Sequence, residues 1–455
     1  MSGAQPLPPG AKIAVIGSGA AALGAVWALS REHAVTIFER ADRAGGHANT
    51  REITGPAGER IAVDTGFIVY NRRTYPNLIR LFDFLRIETR ATDMSFGVSL
   101  DDGALEYCGD NLAGLFGQRR NLFSPRFLGM VSDILRFYRD APDLLSLPDA
   151  GPSLGAYLAA NRYRDAFIED HLLPMAAAIW SAPASAMMDF PAASFVRFCV
   201  NHGLLQLVDR PQWRTVVGGS RTYVGRLLEK SGATLRLNTP VAQVRRTPAG
   251  VEVLRQDGQK ERFDRVVIGT HADEALAMLD SPTDQERSLL GSFLYQENLA
   301  VLHSDPSLMP KRRKLWASWN YLGRRGPDGA RRLCVTYWMN RLQGIDTRIP
   351  LFVTLNPVRE PDCVHASETY HHPMFDAAAM SAQQRLEEIQ GRDRIWFCGS
   401  YFGYGFHEDA FASGLKVAAS MGCSSSLGVP LRGEGTASRP ATPSPHPPLS
   451  SAGPA

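Results

Sequence analysis

Apolar residues change their spacing along this chain, and the changes mark out its elements. Lys12–Ile16 is a short continuous apolar run, the pattern of a strand buried on both faces. A glycine turn follows, then an alanine-rich stretch that predicts a helix to about Ser30. Ala34–Phe38 is a second apolar run, closing a strand–helix–strand unit that ends on Glu39. From about Tyr75 to Trp213 the spacing becomes three and four residues, most clearly over Phe127–Tyr138 and Leu154–His171, and predicts mainly helix. Strand patterns return at Thr234–Leu237, Val241–Arg245, Gly250–Arg255 and Arg265–Ile268. A mixed region over 297–388 holds the β-type runs Leu333–Trp338 and Leu351–Leu355. Arg394–Cys398 predicts a final strand, ahead of a glycine-rich turn and a helix from about Asp409 to Met421. From Cys423 onward Ser, Pro, Gly and Ala dominate, and this tail, 423–455, is expected to be disordered.

The resulting fold class is α/β. A Rossmann-type nucleotide-binding domain is expected over 10–75, 213–296 and 389–422, with an inserted α+β substrate domain over 76–212 and 297–388. A length of 455 residues agrees with more than one domain. A net charge of +3 gives no reason to expect nucleic acid as a partner. Cys108, Cys199, Cys334, Cys363, Cys398 and Cys423 include no CxxC pair, so neither a metal site nor a disulfide framework is expected. No stretch reaches the roughly 18–20 apolar residues of a membrane span, and no signal peptide is visible. A cytoplasmic protein is expected, soluble or peripheral on the inner face of the cell membrane.

Gly17-Ser18-Gly19-Ala20-Ala21-Ala22 lies directly between the first strand and the first helix. Gly17 permits the tight turn, Gly19 lets a pyrophosphate approach the backbone, and Ala22 is small enough for close helix–strand packing. The Ala21 region offers helix N-terminal N–H groups to the phosphates. Glu39, 22 residues after Gly17, can bind ribose hydroxyls and would repel a 2′-phosphate. An ordinary glycine turn would not bring strand, helix and acid together in this order.

The next stretch, Glu39-Arg40-Ala41-Asp42-Arg43-Ala44-Gly45-Gly46-His47, places an arginine and paired glycines just after that acid. It resembles the second FAD motif of the flavin amine oxidase and phytoene desaturase superfamily. The segment Trp396-Phe397-Cys398-Gly399-Ser400-Tyr401, with Gly405-Phe406-His407-Glu408-Asp409-Ala410 and Ser413-Gly414, resembles its C-terminal flavin motif. Val217-Gly218-Gly219 and the entry Thr239-Pro240-Val241 fit as well, with Val241 expected near the adenine. The resemblance implies FAD, held through Arg40, Arg43, Gly45, Gly46, His47, Val241, Gly399, Glu408 and Ala410 in addition to the first turn. Whether the flavin is covalently attached stays open, with His47 and His407 both near its expected path.

Gly45–Thr50, Asp64–Asn71, Trp316–Tyr321, Thr336–Asn340 and Val353–Pro357 together look like bacterial flavoproteins associated with cyclopropane-fatty-acid-synthase-type methyltransferases. Among these, the resemblance is to the fatty acyl desaturases of furan fatty acid synthesis, and covers about 10–422. It implies a methylated, monounsaturated acyl chain on a membrane phospholipid as substrate, and oxygen as acceptor. Allylic hydride transfer to flavin and proton loss would then give a diene. Tyr401, His407 and His372 are the candidate catalytic residues, a histidine being able to take a proton near neutral pH. Two other readings share the fold: a fatty acid double-bond isomerase, and a non-catalytic flavin-binding partner of a lipid methyltransferase. An amine oxidase would need an aromatic cage that the sequence does not identify.

Two further patterns bear on lipid. Trp316, Trp319, Tyr337 and Trp338 are candidates to line an acyl tunnel, or plain core. Arg119–Met130 and Ile134–Arg139 mix basic and apolar residues, as an interfacial helix on anionic lipid does, and Lys311-Arg312-Arg313-Lys314 is a second basic cluster.

Overall fold

Strand Lys12–Ile16 buries Ile13, Ala14, Val15 and Ile16 because it lies in the middle of a five-stranded parallel sheet. The order across the sheet is Thr234–Arg236, Ala34–Phe38, Lys12–Ile16, Arg265–Ile268, Ile395–Phe397. The structure, a computed structural model, describes residues 8–424 except 110, 147–150, 181–183, 202, 207–209, 326–330 and 346–347. The predicted disordered tail therefore falls, apart from Cys423 and Ser424, outside the described residues.

All ten residues of helix Ala20–Leu29 are buried. A helix apolar on every side needs cover on every side. The parallel sheet covers one, and helix His407–Ser420 packs along another. The two helices touch through backbone: a Cβ on Gly24 would run into the Phe411 carbonyl, and one on Gly414 would lie 2.5 Å from the Ala25 nitrogen. Gly269 brings the neighbouring strand equally close, a Cβ there lying 2.8 Å from that of Ala22. This is the close packing for which a small residue at position 22 is needed.

An antiparallel three-stranded sheet, Val241–Thr247, Gly250–Arg255 and Lys260–Phe263, follows Thr234–Arg236 before the chain re-enters the parallel sheet. A seven-stranded mixed sheet runs Val364–Pro373, Tyr295–His303, Phe352–Leu355, Arg331–Trp338, Trp319–Arg325, Phe96–Leu100, Leu105–Cys108. Among the described residues its one parallel pairing joins Trp319–Arg325 to Phe96–Leu100.

Three differences from the sequence reading have physical causes. The stretch expected to be mainly helical contains strands Thr89–Thr92, Phe96–Leu100 and Leu105–Cys108. Residues 97–100 are all buried, so the alternation that would mark a half-exposed strand is missing. Leu154–His171 is not one helix: helix Leu154–Ala160 stops before Arg162, whose φ of +50° no helix accommodates. Thr50–Thr54 and Arg60–Asp64 form a hairpin that the apolar pattern did not reveal.

Candidate active site

Gly17, at φ +91°, turns the chain out of the first strand; a Cβ there would lie 2.9 Å from the Gly269 carbonyl oxygen. Gly19 is the N-cap of helix Ala20–Leu29, and no atom lies within 4 Å of where its Cβ would be. The first N–H groups of a helix have no helical carbonyl to reach, and no side chain caps them here. One side chain ties the surroundings together. Ser18 Oγ, fully buried, donates to Glu39 Oε2 at 2.5 Å and accepts from the Gly45 N–H at 3.1 Å. Glu39 Oε1 accepts from the Ala41 N–H at 2.8 Å. The glycine turn, the acid and the paired-glycine loop thus form one unit, and the sequence reading gave Ser18 no role.

The paired glycines are required by their own geometry. Gly45 and Gly46 have φ of +116° and +57°, and a Cβ on Gly46 would come within 3.0 Å of Gly19 Cα. Arg43 Nη1 donates to the Gly46 carbonyl at 2.9 Å, holding a guanidinium beside the loop. Val241 follows a turn in which the Thr239 N–H reaches the Glu39 carbonyl at 2.8 Å, so it lies on the Glu39 side of the turn. Arg40 does not join them: its side chain is 70% exposed and pairs at 2.7 Å with Glu274 of helix Ala272–Met278.

His47 leads into a cluster of rings. It stacks on Tyr370 with centroids 4.7 Å apart, and lies 5.4 Å from His372 and 6.5 Å from His271. Its Nε2 is enclosed by protein yet has no hydrogen-bond partner. Desolvation, then the neighbouring His372, His271, His407 and Arg43, holds its pKa well below the ordinary histidine value. The imidazole is therefore neutral. An open helix N-terminus, a glycine cradle and an orphaned nitrogen aimed at no protein group are what a flavin dinucleotide requires.

His372 carries a proton whose place can be worked out. The Leu299 N–H can only donate, and it donates to Asn356 Oδ1 at 2.9 Å. Asn356 Nδ2 then donates to Asn298 Oδ1 at 2.7 Å, so Asn298 presents Nδ2 to His372 Nδ1 at 2.9 Å. Nδ1 is the acceptor, and the ring proton of neutral His372 sits on Nε2. Desolvation and His271 and His371 push its pKa down to about 4. His372 is thus a hydrogen-bond donor through Nε2, and a base near neutral pH is the wrong description of it.

The C-terminal segment corrects three expectations. His407 stacks on Phe67 at 3.9 Å and its Nε2 meets the Tyr223 hydroxyl at 2.5 Å. Desolvation pushes its pKa down to about 3, so it too stays neutral and is no general base. Glu408 accepts from the Asn77 N–H and Nδ2, each at 2.8 Å, and from the Leu78 N–H at 3.0 Å. It caps helix Pro76–Leu85, which has no side-chain cap at Tyr75, and both its oxygens are engaged there rather than toward a cofactor. Tyr401 is 1% exposed and packs on Phe293 at 5.1 Å, which makes it core. Gly399 is required beneath it, since a Cβ would strike the Tyr401 ring, and its N–H reaches Ser413 Oγ at 3.0 Å. Ala410 lies buried in the first turn of helix His407–Ser420.

Strand register sorts the four candidate tunnel aromatics. Trp319 lies opposite Tyr337, Tyr337 opposite Val353, Val353 opposite Leu302, and Asn298 opposite Tyr370. Directly paired residues share a face, so Trp319 and Tyr337 stand on the face of Tyr370 and His372. Trp338 alternates to the other face, where Trp316 packs on it and on Phe352 at 5.4 and 5.7 Å. The four cannot line one tunnel. Trp319, edge-on to Tyr337 at 5.1 Å, keeps a buried Nε1 without a partner.

Elsewhere, at the far end of the first helix, ligand atoms of Glu32, His33 and Cys423 lie within 4.8 Å of one another. Among the described residues no helix is long and apolar enough to cross a membrane.

Residues 20–308 match the family model described as flavin containing amine oxidoreductase. Comparison with curated proteins finds no match. Solved structures of the same fold include a CLA-producing fatty acid isomerase from P. acnes, 15% identical, TM-score 0.62, covering 90% of this chain and 98% of that one. Cyclohexylamine oxidase from Brevibacterium oxydans IH-35A is 14% identical, with TM-score 0.64 and coverages of 91% and 99%. Putrescine oxidase bound to putrescine is 16% identical, with TM-score 0.61 and coverages of 90% and 98%. At such identities the likeness is one of fold. The family match spans more than half of the chain, and with the glycine turn, the paired-glycine loop and the C-terminal segment converging on one site, this protein belongs to the flavin-containing amine oxidoreductases.

Proposed function

We propose that this flavin-dependent oxidoreductase, with FAD as its cofactor, introduces a double bond into a methylated, monounsaturated fatty acyl chain of a phospholipid. The observation that carries the reading is the neutrality of the groups beside the paired-glycine loop. His47, His271 and His372 each have a depressed pKa and Tyr370 a raised one, burial being the first cause in each, so the cluster disfavours charge of either sign. An ammonium substrate would enter against that preference, while an uncharged acyl chain would not. Tyr337, Val353 and Trp319 extend the same sheet face with apolar surface.

Gly17, Gly19, Gly45 and Gly46 would hold the diphosphate, Glu39 the ribose, and Val241 the adenine. The first turn of helix His407–Ser420 would meet the ring. When bound, the flavin supplies a two-electron acceptor that oxygen can restore. The chain supplies shape, an apolar sheet face and the fixed Nε2–H of His372, which can orient an acceptor atom. Since His372 and His407 are poor bases, the proton leaving the substrate goes to water. A lipid methyltransferase would act before this step.

The test adds phospholipid carrying such a chain to the purified flavoprotein without oxygen. Bleaching of the flavin band and loss of two hydrogens from the lipid are expected. Bleaching by simple amines and none by lipid would overturn the reading. An isomerase would shift the double bond with no oxygen uptake in air.

A further inference from the structure

The two basic segments, at 119–120 and 311–314, are far apart in sequence but meet at one strand. Asn121 Nδ2 donates to the Glu106 carbonyl at 3.0 Å, and Gln118 holds the Glu106 N–H at 2.8 Å. From the other side, the Lys311 N–H reaches Glu106 Oε1 at 2.7 Å and Arg312 Nη1 reaches Oε2 at 2.6 Å. Strand Leu105–Cys108 is the edge of the seven-stranded sheet, so both segments are clamped onto that edge.

Around this clamp the large apolar side chains face water. Phe123 is 86% exposed, Leu112 74%, Leu122 46% and Leu128 44%. Helix Pro125–Asp140 is anchored beneath them by Phe127, Met130, Ile134 and Phe137, which are buried. The tips are thus held out by a packed base. The acids beside Arg120 and Phe123 and at the clamp are already paired: Glu106 with Arg312, Asp101 with Arg325, Asp170 with Arg126, and Glu169 with Arg126 and Arg325. Among the described residues Arg119, Arg120, Lys311 and Lys314 have no carboxylate partner.

We propose that this edge is a docking face for an anionic phospholipid bilayer, with Phe123, Leu122, Leu112 and Leu128 entering the interface and the free cations meeting phosphate. Charge complementarity selects the occupant: exposed apolar side chains and unpaired cations on segments clamped to one strand suit an interface that is apolar within and negative at its surface. The face stands apart from the flavin site, so it can exist without the proposed reaction, and the reaction without it.

The test floats the flavin-loaded chain with vesicles of phosphatidylglycerol and phosphatidylcholine, or of phosphatidylcholine alone, at low and high salt. Flotation with the anionic vesicles only, weakened by salt, is expected. Arg119→Glu with Arg120→Glu should weaken it roughly 30-fold or more, at about 1 kcal/mol per cation. Phe123→Asp with Leu122→Asp should abolish it while the flavin spectrum stays unchanged. Absence of flotation at low salt, or equal flotation on neutral vesicles, overturns the proposal. So does a dimer that Phe123→Asp dissolves, which would make a second copy the occupant. In each of those cases detergent-dispersed lipid would still bleach the flavin if the proposed reaction is right.

Discussion

Replacing Gly414 by alanine tests the helix pair that carries the site. The new Cβ would lie 2.5 Å from the Ala25 nitrogen and closer still to the Ala21 carbonyl, against a floor of 3.0 Å for real Cβ contacts. Both neighbours are backbone of a fully buried helix and cannot rotate away, so the helices must part. Overpacking of this kind costs about 3 kcal/mol at the upper end of its range. Alanine returns about 1 kcal/mol of helix propensity, which leaves a net loss of about 2 kcal/mol. Gly225 is the control: it lies exposed in helix Arg221–Ser231 with nothing within 4 Å of its Cβ position. The same change there should stabilise by about 0.5–1 kcal/mol. The assay is urea unfolding followed by tryptophan fluorescence, with Trp27 buried in the affected helix, and by release of flavin. At a slope of about 3 kcal/mol per molar urea, the Gly414→Ala midpoint should fall by about 0.7 M, and flavin should leave earlier. A Gly414→Ala protein as stable as the parent, with flavin retained, would refute the reasoning.

Ser18→Ala removes two hydrogen bonds of the site worth about 1 kcal/mol each, so flavin retention measured by ultrafiltration should fall by up to roughly 30-fold. Glu408→Gln should lower stability by about 1–2 kcal/mol through the cap on helix Pro76–Leu85, with the flavin spectrum unmoved; a displaced spectrum would restore Glu408 to the cofactor site. Acid should destabilise the protein as the pH falls below 6.5. His407 and His372 are held at about 3 and about 4 in the fold, below the ordinary 6.5, so the unfolded chain binds the extra protons. Their contribution is complete above 6.5 and is lost toward pH 4 and 3, at no more than about 1.4 kcal/mol per unit for each ring. A urea midpoint flat over that range, or a His407→Gln protein with an undiminished slope, would contradict it.

What could be read in the sequence was local. The glycine turn, the paired glycines and Ala22 answer demands made within a few residues of themselves, and the apolar runs of the parallel sheet are buried on both faces. Strand Phe96–Leu100 was hidden by the same full burial inside a stretch of helical spacing. Glu408 looked like a ligand because its segment resembles a flavin motif, but its partners are at 77 and 78. The Ser18 hub, the Asn356–Asn298–His372 relay and the division of the aromatics between two sheet faces depend on pairings across the fold. No spacing rule reports those.

The contact between helices Ala20–Leu29 and His407–Ser420 also bears on synthesis. The earlier helix is apolar on every side, and its cover is made about 380 residues later. At about 5–20 residues per second the ribosome needs roughly 20–80 s to deliver it. Through that interval a greasy segment of the nascent chain stands uncovered, a natural client for chaperones and a point from which premature aggregation would spread. The flavin pocket is therefore incomplete until helix His407–Ser420 emerges, and cofactor capture waits for it.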